Sequence, residues 1–208
     1  MATDNRMGFQ PARHLTGGQI RTHRHFVSTT ARSISVGDAV RLNPSGEGII
    51  PLSGDATPVT PVLGIAVALY DSSNKPLTFS QPTRGPYLPA LTGGFADVCD
   101  DPEVTFIVQA DASVDQNDIG KFVSVTAAVD VVNTAAGTSK MQVKMSTVDT
   151  SVRQFQILGI APNEDAGLGT ILNRGVLGSG TGGGANVDVE VRIAAHTYRG
   201  GFGTTVTS

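Results

Sequence analysis

Val187, Val189, Val191 and Ile193 alternate with Asp188, Glu190 and Arg192 near the end of this 208-residue chain. A side-chain period of two sends the apolar set to one face and the charged set to the other, the pattern of a strand with one packed and one wet face. The pattern recurs. In Glu103–Asp111, Val104, Phe106 and Val108 oppose Thr105, Ile107 and Gln109; from Lys140 onward, Met141, Val143 and Met145 oppose Lys140, Gln142 and Lys144. "KFVSVTAAVDVV" supplies one or two more strands, and the apolar run "VLGIAVALY", bounded by Pro61 and "DSSN", reads as a buried strand. Turn chemistry separates these runs, most clearly "NPSG" at Asn43–Gly46. Residues 76–94 contain four prolines and read as a loop or edge excursion, because proline donates nothing to a ladder. Helix is confined to short turns: "SVDQNDIG", where Ser113 would cap with Gln116, and "EDAGLGTIL".

Charged residues make up 16% of the chain, against about 25% in ordinary globular proteins, while Gly alone numbers 25. That balance suits many short strands and disfavours long surface helices. The length fits one large all-β domain or two small ones. Charge is unevenly placed: residues 1–41 carry Arg6, Arg13, Arg21, Arg24, Arg32 and Arg41 against only Asp4 and Asp38, so the remainder is acidic. A basic N-terminal segment can dock on an acidic partner or neighbouring subunit, and can equally be a solvated tail. Its arginines are dispersed and it lacks lysine, which argues against nucleic acid. Cys99 is the only cysteine, so no intrachain disulfide forms and the chain suits a reducing compartment. The first residues lack the apolar core of a signal peptide, and no apolar run reaches transmembrane length, so no membrane partner is expected.

"LGIA" occurs twice, at Leu63–Ala66 and Leu158–Ala161. Each copy follows a Gly/Asp turn and a strand, around Gly37-Asp38 in one case and Asp118-Ile119-Gly120 in the other. This shared rhythm points to one β unit built twice, with the glycines at bulges or close approaches. The expected architecture is mainly β: an extended N-terminal arm (1–25), then a β-barrel or β-sandwich-like body of two pseudo-repeated units. The first unit (26–95) carries the Pro-rich loop. The second (96–208) carries a Gly-rich loop and the C-terminal tail.

No catalytic set is legible. "GSGTGGG" at Gly178–Gly184 lacks the Lys and Ser/Thr of a phosphate loop. "HRH" places His23 and His25 on one side of an extended strand, but no carboxylate stands near them in sequence. His14 and His196 are isolated. Asp100-Asp101 precedes Pro102 and reads as a segment boundary rather than a calcium site, since calcium takes about six to eight oxygens. No metal, cofactor or enzymatic activity is expected.

Several stretches resemble tailed-phage virion proteins: "GFQPARHLTGG", "VCDDPEVTFIVQAD", "ILGIAPNEDAGLGT" and "VEVRIAAHTY". "SVGDAVRL…VTPVLGIAVAL" resembles the small β domain of head decoration proteins. The resemblance implies a capsid decoration, or cement, protein without enzymatic activity. Such a protein sits on the outer surface of the virion as a homotrimer and bridges capsomers of the major capsid protein, having assembled in the host cytoplasm. An arm commonly reaches onto the shell or a neighbouring subunit, and Arg6, Arg13, His14, Arg21 and Arg24 are the residues here that fit such contacts. The alternative is a receptor- or glycan-binding head-fibre or tail module, with Tyr87 in the Pro-rich stretch as the place to look. An enzyme would need His14, His25 or His196 beside a carboxylate in a cleft.

Overall fold

The computed structural model describes residues 7–29, 32–52, 60–78, 87–126, 132–133, 138–161 and 187–198. Arg6, the "EDAGLGTIL" stretch and the Gly178–Gly184 loop lie outside these residues. The chain runs through β1 (Gln10–His14), β2 (His23–Val27), β3 (Ile34–Ser35), β4 (Ala39–Leu42), β5 (Ile49–Pro51), β6 (Gly64–Tyr70), β7 (Tyr87–Leu88) and β8 (Gly94–Cys99). It continues through β9 (Val104–Gln109), a 3-10 turn (Gln116–Asp118), β10 (Phe122–Val125), β11 (Val132–Asn133), β12 (Thr138–Ser139), β13 (Val143–Asp149), β14 (Phe155–Ile160) and β15 (Asp188–Ile193). The architecture is mainly β, as the alternation requires.

β2, β5, β4, β6 and β8 close into a five-stranded barrel. The remaining long strands form a sheet in the order β1-β9-β15-β14-β10-β13. That sheet curls back on itself: Ala110, just past β9, bridges Val143 of β13 in parallel, and the Asp111 N–H donates to the Val143 carbonyl at 3.0 Å. The barrel has the same seam, where Val27 pairs in parallel with Ile49 and the Ser28 N–H donates to the Ile49 carbonyl at 3.0 Å. Strand for strand, β2, β4, β5, β6 and β8 correspond to β9, β10, β13, β14 and β15, with the same neighbours and directions.

The register fixes the correspondence residue by residue. The N–H of Gly37 donates to the carbonyl of Ala66, and that of Gly120 to the carbonyl of Ile157, both at 2.8 Å. Ala66 pairs with Val98 ahead of a bulge, as Ile157 pairs with Val191 ahead of one. The two LGIA copies therefore lie in equivalent strands but out of step: Gly159 matches Ala68, and Gly64 matches Phe155. Their glycines do different work. A Cβ on Gly64 would run into the carbonyl of Cys99, whereas Gly159 follows its bulge with open space around it. The four-letter match therefore does not mark equivalent positions, although the two units repeat one strand order.

One apolar cluster joins the units. Ala39, Leu52, Val62, Ile65 and Cys99 of the barrel pack with Val104, Phe106, Phe155, Val191 and Ile193 of the second unit. A second cluster, including Val27, Val40, Leu69 and Ala96, fills the barrel. Phe9, fully buried, stacks on Phe155 with centroids 4.6 Å apart.

Two expectations need correction, the arm and the helix cap. The stretch 1–25 is not wholly an arm: residues 10–14 form β1 along β9, and residues 23–25 open β2. In β9 both faces are covered, since Thr105 and Gln109, on the opposite side, are buried along with Val104, Phe106 and Val108. The N-terminal segment and Gln142 cover that side: the Thr105 hydroxyl donates to the Arg13 carbonyl at 3.3 Å, and the Gln142 amide donates to Gln109 Oε1 at 3.1 Å. The short turn is capped at Asp115, not Ser113, with the Asp115 N–H donating to the Asp118 carboxylate at 3.0 Å.

Candidate functional site

β8 ends at Cys99, and Asp100-Asp101-Pro102 turns the chain into β9, passing from the first unit to the second. All four histidines of the chain gather about these two carboxylates. His23 and His25 are two apart on β2, which places them on one side of the strand. His23 Nδ1 lies 2.7 Å from Asp100 Oδ1, and His25 Nε2 lies 3.5 Å from Asp100 Oδ2. His14, at the end of β1, places Nε2 3.2 Å from Asp101 Oδ2. His196 follows β15 on a segment clamped to Val62, whose N–H donates to the Ala195 carbonyl at 2.8 Å and whose carbonyl accepts the Thr197 N–H at 2.9 Å. His196 feels the negative charges of Asp100 and Asp101.

The proton positions follow from the donors. His14 Nδ1 accepts the Thr16 N–H at 3.3 Å, which leaves Nε2 to carry the proton toward Asp101. The Thr16 hydroxyl is 2.9 Å from the same Nδ1. His196 Nδ1 accepts the Tyr198 N–H at 3.1 Å. Burial pushes the His196 pKa below the ordinary histidine range, in spite of the nearby acids. Burial likewise pushes the Cys99 thiol up to about 11, so at neutral pH it stays protonated. Among the described residues, no group of three or more His, Cys, Asp or Glu is arranged to hold a metal ion. What the cluster does is tie β1, β2, the turn between units and the segment after β15 into one seam.

The residues expected as outward contacts are largely engaged inside the chain. The Arg13 guanidinium donates to both carboxylate oxygens of Glu190, at 2.7 and 3.2 Å. Arg24 forks onto Asp97 at 2.8 and 3.1 Å, donates to Asn74 Oδ1 at 2.8 Å and lies over the Tyr70 ring, 3.8 Å from its centroid. The Tyr70 hydroxyl donates to Asp97 at 2.7 Å. Hydrogen bonding from Arg24 holds the Asp97 carboxyl below the usual range. Asp97 and Glu190 occupy matching positions in β8 and β15, and each unit neutralises its acid with an arginine from the N-terminal segment. His14 belongs to the seam, Arg21 is exposed, and Arg6 lies outside the described residues.

Sequence reasoning missed the seam and also Asp38. Asp38 is wholly buried in the Gly37 turn, with the Ser35 N–H donating to Oδ2 at 2.7 Å and the Ser139 hydroxyl beside the same carboxyl. Burial pushes its pKa up to about 8, so it is protonated at neutral pH. The sequence signal was present, an Asp beside a turn glycine within an apolar stretch, but it gave no sign that the carboxyl would be sealed.

Comparison with models of known families, with curated proteins and with solved structures finds no match to this chain.

Proposed function

We propose that the protein is a virion structural component that decorates an icosahedral phage head and braces it from outside, binding the major capsid protein and associating with itself, as a homotrimer. Its mechanism is burial of surface against the shell, without a chemical step. The supporting observation is the cross-tied body. Two β units share one core, and the turn between them is held by imidazole–carboxylate contacts from two strands, His14 of β1 on Asp101 and His23 of β2 on Asp100. Such a body resists being pulled apart across its junction, a property that a bridge between capsomers needs. The stretches that resemble head proteins include the Asp100-Asp101 turn itself.

The glycan-binding alternative is less well served. Tyr87 is half-buried and pairs with Ser35, and both Asp97 oxygens are already bonded, which leaves that carboxylate poorly placed to take sugar hydroxyls.

The test is co-sedimentation of the purified chain with DNA-filled heads lacking it. Saturable binding that raises the heads' resistance to heat is expected. A folded chain that stays in the supernatant at every head concentration overturns the reading. Deleting residues 1–25 is an unsuitable probe of the arm, because it removes β1 and most of β2; deletion of residues 1–6 leaves both in the chain.

A further inference from the structure

We propose that the outer face of β2, β8 and β6 is the surface on which a second copy of this chain docks. The face is set by register. Arg24 opposes Asp97 and Phe26 opposes Phe95 across β2 and β8, and Tyr70 opposes Phe95 across β6 and β8. Directly opposed residues share a side of a sheet, so these five side chains stand together. Phe26 meets Phe95 edge-on, with centroids 5.9 Å apart, and is 43% exposed although it is a large apolar ring. It is held over backbone: a Cβ on Gly48 would come within 2.9 Å of the ring, and one on Gly93 within 3.7 Å.

Two features mark this as a binding surface. The first is rigidity. Arg24, Asp97, Tyr70 and Asn74 lock one another, so docking costs little side-chain entropy. Aromatic and arginine side chains of this kind are the ones that carry interface energy. The second is strain beside it. Leu91, at the third position of the Pro89–Thr92 turn, is held at φ 61°, in the left-handed region normally left to glycine, and is 76% exposed. The chain holds a largely exposed apolar side chain in a disfavoured backbone conformation.

The choice of a second copy rests on two arguments. The face is electrically balanced, one arginine bonded to one aspartate, so it asks a partner for a balanced, aromatic surface and not for charge of either sign. The same face on another copy supplies that across a twofold axis, where each residue can meet its own counterpart. The matching face of the second unit is also covered from within: Gln109 and Ala161, which stand where Phe26 and Tyr70 stand, are 6% and 4% exposed, and Arg13 from β1 reaches across to Glu190. Among the described residues, this face is buried in the second unit and exposed at Phe26 in the first. The contact joins copies in pairs and is separate from whatever contact builds a trimer. It rests on the assembly reading for its purpose, yet it is testable without any phage head.

The experiment is native mass spectrometry of the full chain across a concentration series. The probes are the wild type, Phe26→Ser/Phe95→Ser and, separately, Leu91→Gly, which removes the exposed side chain while relieving the turn. The wild type is expected as an even-numbered species, and each variant is expected to halve its mass or weaken the pairing by about tenfold or more. Leu91→Gly keeps or raises the melting temperature, so its loss of pairing cannot be ascribed to misfolding. A wild type that stays monomeric or odd-numbered at the highest concentration, or a paired species that both variants leave unchanged, overturns the proposal. Neither result bears on head binding, which the co-sedimentation reads independently.

Discussion

Gly37 and Gly120 occupy the same position in two copies of one β unit. Their φ angles are 90° and 88°, and each donates its N–H at 2.8 Å to the matching carbonyl of the fourth strand, Ala66 or Ile157. Their surroundings differ. A Cβ on Gly37 would come within 2.5 Å of the Met7 carbonyl and 3.3 Å of the Gly8 Cα, while one on Gly120 would meet nothing within 4 Å. Gly120→Ala therefore carries only the conformational cost of a left-handed residue, about 1–2 kcal/mol. Gly37→Ala carries that cost and also pushes the N-terminal segment off the turn, so its loss is expected to exceed about 3 kcal/mol. Urea denaturation of both variants checks the order; equal losses would show that the N-terminal crossing does not matter.

Asp38 makes the protein less stable as pH rises. Its folded pKa, about 8, stands above the ordinary 3.8. Between these values the fold keeps a proton that the unfolded chain has released, so this group lowers stability steadily from about pH 4 to about pH 8 and adds no further slope beyond. Asp38→Asn keeps an acceptor for the Ser35 N–H and removes the ionisable proton. The variant is expected to gain on the wild type as pH is raised from 5 to 8, with a slope approaching about 1.4 kcal/mol per pH unit. Urea midpoints across that range measure it, and a constant difference between the two proteins would sink the idea.

Arg13 and Arg21 separate a structural arginine from one available for contact. Arg13 is committed to Glu190, whereas Arg21 is exposed. Arg13→Gln is expected to lower the melting temperature slightly, with the difference shrinking in high salt, as for any exposed pair. Arg21→Gln is expected to leave the melting temperature unchanged and to weaken binding to heads. The reverse pattern would mean that the Arg13–Glu190 pair opens on docking.

The strands could be read because their alternation is a local property: Val189, Val191 and Ile193 are buried and their neighbours are not. The duplication could be read too, though through its turns, since Gly37 and Gly120 are equivalent and the LGIA glycines are not. β1 gave no such signal. It is an edge strand with one partner, carries Pro11 and breaks register between Pro11 and Arg13, so no alternation is imposed on it. The histidine seam was beyond sequence reasoning for a different reason. His23 and Asp100 are 77 positions apart, and His14 and Asp101 are 87 apart. Only the pairing of β2 with β8 and of β1 with β9 brings them together, and no periodicity along the chain encodes a pairing partner. The separation that made "HRH" look unsupported vanishes once the barrel closes.

His196 should make the fold sensitive to acid. Burial holds its pKa below the ordinary 6.5, and its Nδ1 is occupied by the Tyr198 N–H, so the folded protein resists taking up a second imidazole proton. The unfolded chain takes it readily. Below about pH 6.5 the unfolded state therefore binds more protons at this site, and its contribution to stability falls with falling pH until the folded pKa is passed. His196→Gln removes this dependence. Its melting temperature should be close to or below that of the wild type at pH 8, where the neutral imidazole packs well, and should close the gap or overtake as pH falls toward 5. Because His196 lies on the segment clamped to Val62, the amides of Thr197 and Tyr198 should lose hydrogen-exchange protection on acidification before those of β15 do, once intrinsic exchange rates are corrected. Uniform loss across β15 and the segment after it would place the acid-sensitive group elsewhere in the seam.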